Sequence, residues 1–156
     1  MAYNYMTAEE AARFVKNGYN IGFSGFTVSG APKLVPTAIA KLAEEEHAKG
    51  NEFRVNVFTG ASTGDALDGA LARAHAINFR TPYQSNKDLR TGINSQDIHY
   101  ADAHLSHLAQ DIRYGFYGKM DMAIIEAADI TENGEVVLTA GVGIIATVAR
   151  LAEHII

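Results

Sequence analysis

Two segments of this chain set glycines and hydroxyls where main-chain groups can meet a small anion. The first is Gly22-Phe23-Ser24-Gly25-Phe26-Thr27-Val28-Ser29-Gly30-Ala31-Pro32, which holds three glycines between a strand-like run and a helix start. Such a loop falls at the carboxyl end of a parallel strand, where open α/β sheets bind ligands. Glycine lets N–H groups come close to an anion or a developing oxyanion. The same residues also suit a plain tight turn. The second segment is Thr59-Gly60-Ala61-Ser62-Thr63-Gly64, in which Ser62 and Thr63 add hydroxyls to several amides. That set suits a carboxylate or an acyl oxygen, although Ser62 or Thr63 could equally serve as a helix N-cap. Two such loops on successive strands converge on one edge of a sheet, and the convergence favours a site.

Other candidates are less specific. Gly141-Val142-Gly143-Ile144-Ile145-Ala146 matches G-x-G-x-x-A between a strand and a helix, a pattern of dinucleotide sites. It is followed by only ten residues, too few to bring the ribose-binding acid that completes the pattern. His99, His104 and His107 stand near Asp97, Asp102 and Asp111, and His104 and His107 would share a helix face. No HExxH or other metal spacing is present, so these histidines are expected to cap helices or bond to backbone, and no metal is expected. Glu126 closes the apolar run Met122-Ala123-Ile124-Ile125. A partly buried carboxylate there could act as nucleophile or base. The preferred expectation is that it orients a neighbouring loop through backbone amides. Arg80, Lys87 and Arg90 offer a basic rim for phosphates or, by default, a solvated face.

The elements that must position these residues alternate. Thr7 caps a helix opening Ala8-Glu9-Glu10, with Ala11, Ala12, Phe14 and Val15 as its apolar stripe and Gly18 as its end. A strand from Asn20 to Ser24 precedes the first glycine loop. The next helix tolerates Pro36 in its first turn and turns Leu34, Val35, Ala38, Ile39 and Leu42 inward. Phe53 to Thr59 alternates as a strand, and Asp65 to Ala76 is expected to form an alanine-rich helix. Residues 78–96 look polar and irregular, with a helical turn near Asn86 to Arg90. A short strand near Ile98 and Tyr100 leads to a helix from His104 to Tyr114. Asp121 to Glu126 should be a buried strand, and Glu132-Asn133-Gly134-Glu135 a hairpin-type turn into Val136-Val137-Leu138. A last helix covers Ile144 to Glu153. The order implies an α/β fold with a largely parallel open sheet and helices on both faces. Glu153-His154-Ile155-Ile156 has the character of another strand opening, as in a piece of a longer chain or an edge strand at a true end.

Length and composition bound the rest. The 156 residues, 47% hydrophobic and 20% charged, suit a single domain over 1–156 with its own core. Net charge is 13 − 18 = −5, which argues against nucleic acid or an anionic membrane as the main partner. Zero cysteines exclude thiolate catalysis and disulfides and fit a reducing, cytoplasmic setting. No apolar run is long enough to span a membrane, and the first residues lack the basic start and apolar stretch of a signal peptide.

Several stretches together resemble the N-terminal half of the acetyl-CoA hydrolase/transferase family, which includes class I acetate and succinate CoA-transferases. They are GFSGFTVSGAPKLVP from Gly22, FTGAST from Phe58, RTPYQSNKDLRTGIN from Arg80, HYADAHLSHLAQ from His99, YGFYGKMDMAIIEAADITENG from Tyr114, and GVG at Gly141. The resemblance implies two similar α/β domains with the active site at their junction. It also implies transfer of CoA between a short-chain acyl-CoA, such as acetyl- or succinyl-CoA, and a carboxylate such as acetate. In that family the reaction runs through a glutamyl-CoA thioester, with CoA a substrate rather than a bound cofactor. The nucleophilic glutamate would lie in the second domain, beyond Ile156, so no catalytic residue is assigned in this chain. Glu126 matches the IIEA strand and not the nucleophile's motif. By position Gly25, Phe26 and Thr27 match the loop near the acyl site, while Ser62 and Ser85 match small hydroxyl residues near the acyl or carboxylate pocket. Hydroxyls donate to carboxylate oxygens without adding a competing charge. Relatives carry a small polar residue and a proline where this chain has Ile144-Ile145-Ala146, a departure that weighs against ligand contact from the third loop. The implied partners are acyl-CoA, small carboxylates, the C-terminal domain of the same protein and further copies of it. The alternatives are an acetyl-CoA hydrolase, with water as acceptor, and a non-catalytic acyl-CoA-binding or assembly module.

Overall fold

The computed structural model describes residues 3–156. Its centre is a six-stranded, wholly parallel sheet in the order β4-β3-β2-β1-β5-β8. The strands are β1 (Asn20–Phe23), β2 (Val55–Phe58), β3 (Ile77–Thr81), β4 (His99–Tyr100), β5 (Met122–Ile124) and β8 (His154–Ile155). A separate antiparallel hairpin pairs β6 (Ala127–Ile130) with β7 (Val136–Leu138) around the expected turn at Asn133-Gly134. The helices are α1 (Ala8–Ala12), α2 (Leu34–Ala48), α3 (Ala70–Arg73), α4 (Lys87–Asn94), α5 (Leu105–Arg113) and α6 (Ile145–Leu151).

Direction of travel decides which face each helix covers. From β1 to β4 the chain steps one way across the sheet, then returns past β1 to β5 and on to β8. Parallel crossovers are right-handed, so reversing the direction moves the connecting helix to the opposite face. Accordingly α1 to α4 pack on Ile21, Phe23, Val55, Val57, Met122 and Ile124. Leu108 and Ile112 of α5 and Ile145 and Val148 of α6 pack on Phe58 and Ala123 from the other side. Alternate residues of one strand thus feed two cores, as the two-residue period of a strand requires.

Several local expectations are corrected. Helix α1 has the capping box, Thr7 Oγ1 accepting from the Glu10 amide at 3.2 Å and Glu10 Oε2 from the Thr7 amide at 2.8 Å. It ends at Ala12 rather than near Gly18, and Phe14 is 55% exposed. Leu34 likewise faces solvent at the start of α2, outside the expected apolar face. The largest difference lies in residues 78–96, which hold strand β3 and the two-turn helix α4 instead of irregular chain. The helix from Asp65 opens as a π-helical turn, Asp65–Gly69, before α3.

Side chains also tie the amino edge of the sheet together. Asn78 Nδ2 donates to Asn56 Oδ1 and Asn56 Nδ2 to Asn20 Oδ1, both at 2.8 Å, while Asn20 Nδ2 donates to the carbonyls of Tyr117 and Lys119. Nearby, Asp97 joins Arg54, at 2.7 Å, and the ring of His75, at 2.9 Å. The His75 hydrogen bond first, and the Arg54 guanidinium second, hold the Asp97 carboxyl below its ordinary 3.8. A folded pKa below the unfolded one means stability that is whole above about 3.8 and is lost as the pH falls through the lower folded value. Asp97→Asn should therefore be less stable than the parent at neutral pH, with the gap closing in acid. Denaturation midpoints across pH test this, and a gap undiminished near pH 2, well below the reference range, would refute it.

Candidate active site

The switch point of the sheet lies between β1 and β5, where chain connections depart in opposite directions, and such a crevice is the usual ligand site of open α/β sheets. Ser24 sits there, buried at the end of β1. Its hydroxyl donates to the Gly30 carbonyl at 2.7 Å and accepts from the Glu126 amide at 2.8 Å. One side chain thus closes the first glycine loop and fastens it to the segment leaving β5. Glu126 puts its carboxylate 2.5 Å from Lys33 Nζ, and Lys33 also donates to the Ala31 carbonyl. Glu126 does steady the loop, but through an ammonium group rather than backbone amides.

The second loop is held from below by an ion pair with both side chains fully buried. Arg80 Nε donates to Asp68 Oδ1 at 2.9 Å and Nη2 to Oδ2 at 3.1 Å. The pair also reaches the loop backbone: Arg80 Nη2 donates to the Ala61 carbonyl at 3.2 Å, and Asp68 Oδ2 accepts from the Thr63 amide at 3.0 Å. Arg80 Nη1 meets the Thr81 carbonyl at 2.5 Å. Arg80 is therefore no part of a basic rim, because its guanidinium is sealed beneath the loop.

The third loop is a brace. Gly143 lies at φ +56°, and a β-carbon there would stand 2.6 Å from the Gly25 carbonyl oxygen and 3.0 Å from Gly60 Cα. Gly141 presses more closely still, since a β-carbon there would stand 1.8 Å from the Ser29 carbonyl oxygen. The G-x-G of this segment joins the other two loops main chain to main chain, which supports a structural task rather than a dinucleotide cradle.

The five positions of interest are thus brought to one edge. Gly25 is buried, whereas Phe26 and Thr27 form an exposed tip closed by a Phe26 amide to Ser29 carbonyl bond of 2.9 Å. Ser62 is buried, 6% exposed, and its hydroxyl has no hydrogen-bond partner among the described residues. Ser85 lies on the exposed loop after β3, where its carbonyl accepts from Arg90. Buried oxygens of Thr63, Thr81, Gln84 and Thr139 also lack partners among the described residues, and all four flank this edge. A buried polar atom left unpaired costs about 1–3 kcal/mol, so their concentration here favours a site that receives polar ligand atoms. By contrast, His104 and His107 stack edge to face, with ring centroids 5.4 Å apart. Among the described residues no group of three or more His, Asp or Glu is placed to share a metal. A cleft of about 330 Å³ between Asn20, Asn78, His99 and Tyr117 lies at the opposite, amino edge.

Fold and site together define a parallel α/β domain in which glycine loops meet at the carboxyl edge of the sheet. The acetyl-CoA hydrolase/transferase N-terminal domain matches residues 2–156. The chain belongs to that family. It is 46% identical over 151 residues to the succinyl-CoA:acetate CoA-transferase of Clostridium kluyveri, covering 97% of this chain and 28% of the relative. It is 42% identical over 149 residues to the acetyl-CoA hydrolase of Schizosaccharomyces pombe, covering 92% of this chain and 28% of that one. The chain thus spans a little over a quarter of the length of these curated relatives. Glutaconate coenzyme A-transferase from Acidaminococcus fermentans has the same fold, with a TM-score of 0.68 at 14% identity over 97% of this chain and 67% of its own. Among the described residues no helix is long and apolar enough to cross a membrane.

Proposed function

We propose that this chain is the N-terminal domain of a CoA-transferase that moves CoA between a short-chain acyl-CoA, acetyl or succinyl, and a carboxylate such as acetate. The observation that carries the reading is the convergence, beside the switch point, of two braced glycine loops, the second of which carries the Ser62 hydroxyl. In this reading the nucleophilic glutamate comes from a second domain beyond Ile156. Its carboxylate displaces CoA thiolate from the acyl-CoA, forming a mixed anhydride. The thiolate then attacks the glutamyl carbonyl and releases the acyl group as a free carboxylate, leaving a glutamyl-CoA thioester. An acceptor carboxylate runs the same two steps in reverse. Gly25 and Thr27 would approach the acyl group with main-chain amides, Phe26 would line it with its exposed ring, and Ser62 and Ser85 would donate to carboxylate oxygens. The protein would work as a cytoplasmic homo-oligomer with CoA as a substrate and no resident cofactor.

The full-length protein, incubated with succinyl-CoA and acetate, should form acetyl-CoA and a hydroxylamine-sensitive enzyme–CoA adduct. CoA release that is equally fast without acetate would instead assign hydrolysis, and binding of CoA with no turnover would assign a binding module. Ser62→Ala should lower kcat/KM for the acceptor about tenfold, the worth of one hydrogen bond to a charged group. An unchanged value would remove Ser62 from the pocket.

A further inference from the structure

We infer that Asp68 and Arg80 are positioning residues whose task is to aim Ser62, an inference that rests on the carboxylate-binding role proposed for that serine. Neither side chain can touch a substrate, because both are fully buried. What they touch is the main chain on either side of Ser62. Arg80 holds the carbonyl of Ala61 and Asp68 holds the amide of Thr63, so the serine is gripped one residue before and one residue after. The Thr59 hydroxyl also donates to the Ala61 carbonyl, closing the loop's entrance. Between these anchors the Ser62 hydroxyl makes no bond to any described residue, so the backbone sets the Cα–Cβ vector it extends from and leaves χ1 to choose among staggered wells.

Stability alone does not account for such a pair. Apolar residues of similar volume commonly replace a buried ion pair with no loss of stability. Only the ionic pair supplies directional bonds to three loop and strand groups, the Ala61 and Thr81 carbonyls and the Thr63 amide. The planar guanidinium matters here, because it bonds the carboxylate through two nitrogens while still reaching both carbonyls. A lysine ammonium can neutralise Asp68 but cannot hold that fork.

The test uses the full-length protein with two variants, Arg80→Lys and the paired exchange Asp68→Leu with Arg80→Met. Hydrogen exchange resolved by fragment mass spectrometry reads the loop, and kcat/KM for acetate reads the site. In either folded variant the Thr63 amide should exchange at least tenfold faster, and kcat/KM for acetate should fall at least tenfold while KM for the acyl-CoA stays near the parent value. Adding Ser62→Ala should then cost nothing further, since a misdirected hydroxyl has already lost its contact. Parent-like acetate kinetics, or a full additional Ser62→Ala effect, would overturn the inference. So would a parent protein whose Thr63 amide exchanges as fast as the exposed tip at Thr27, a result that needs no variant to fold. Absence of transfer by the parent protein refutes the proposed function instead, while the exchange measurement still decides whether the pair grips the loop.

Discussion

Arg80→Met, made alone, should lower the stability of this domain by about 3–5 kcal/mol, the range seen when one partner of a buried ion pair is removed. The change strands the Asp68 carboxylate, which has no exposure to water, and takes a donor from the Ala61 and Thr81 carbonyls. For a domain of this size that loss lowers the thermal midpoint by on the order of 10 °C. Adding Asp68→Leu should restore most of it, because no charge is then left buried. The two substitutions together are expected to be less harmful than one, and calorimetry on the single and paired variants checks this. A single variant as stable as the parent would mean that water reaches Asp68. The paired variant would then separate two properties the parent combines, a restored midpoint with a serine no longer aimed.

Gly143→Ala should have the next largest effect, and through a different cause. Its backbone is left-handed at φ +56°, which costs an alanine roughly 1–2 kcal/mol. The new methyl would also stand 2.6 Å from the Gly25 oxygen and 3.0 Å from Gly60 Cα. These neighbours are main chain and cannot rotate aside, so crowding adds about 1–3 kcal/mol. The three loops must part, and turnover in the full-length protein should fall a hundredfold or more. Unchanged turnover with an unchanged midpoint would show that the loops can shift without disturbing the site.

Much of this frame was legible in the sequence. The strand before the first glycine loop, the long helix with Pro36 in its first turn, the alternation from Phe53 to Thr59 and the strand-like ending at His154 all appear where local pattern placed them. Strand β3 was hidden for a physical reason. Its run Ile77-Asn78-Phe79-Arg80-Thr81 has a solvent-facing asparagine and a buried arginine, so hydrophobicity does not reveal its period. The partner that makes Arg80 tolerable is Asp68, twelve positions earlier in a segment legible only as an alanine-rich helix. Charge pairing across that distance has no local signature. The one available hint was Asp68, set between Leu67 and Gly69 in an alanine-rich segment, matched by an arginine just before Thr81-Pro82. The glycines of the third loop were visible, but their use as a brace depends on contacts made only once the sheet is assembled.

The braced loops bear on how the protein could be altered by directed evolution. At Gly25, Gly60 and Gly143 the fit is set by atoms that are missing, so randomising these positions would yield almost only inactive clones. The tip from Phe26 to Ser29 stands in solvent on that fixed base, with Phe26 46% and Val28 67% exposed. A library confined to those four codons would vary the tip that the proposed function sets against the acyl group while leaving the braced glycines unchanged.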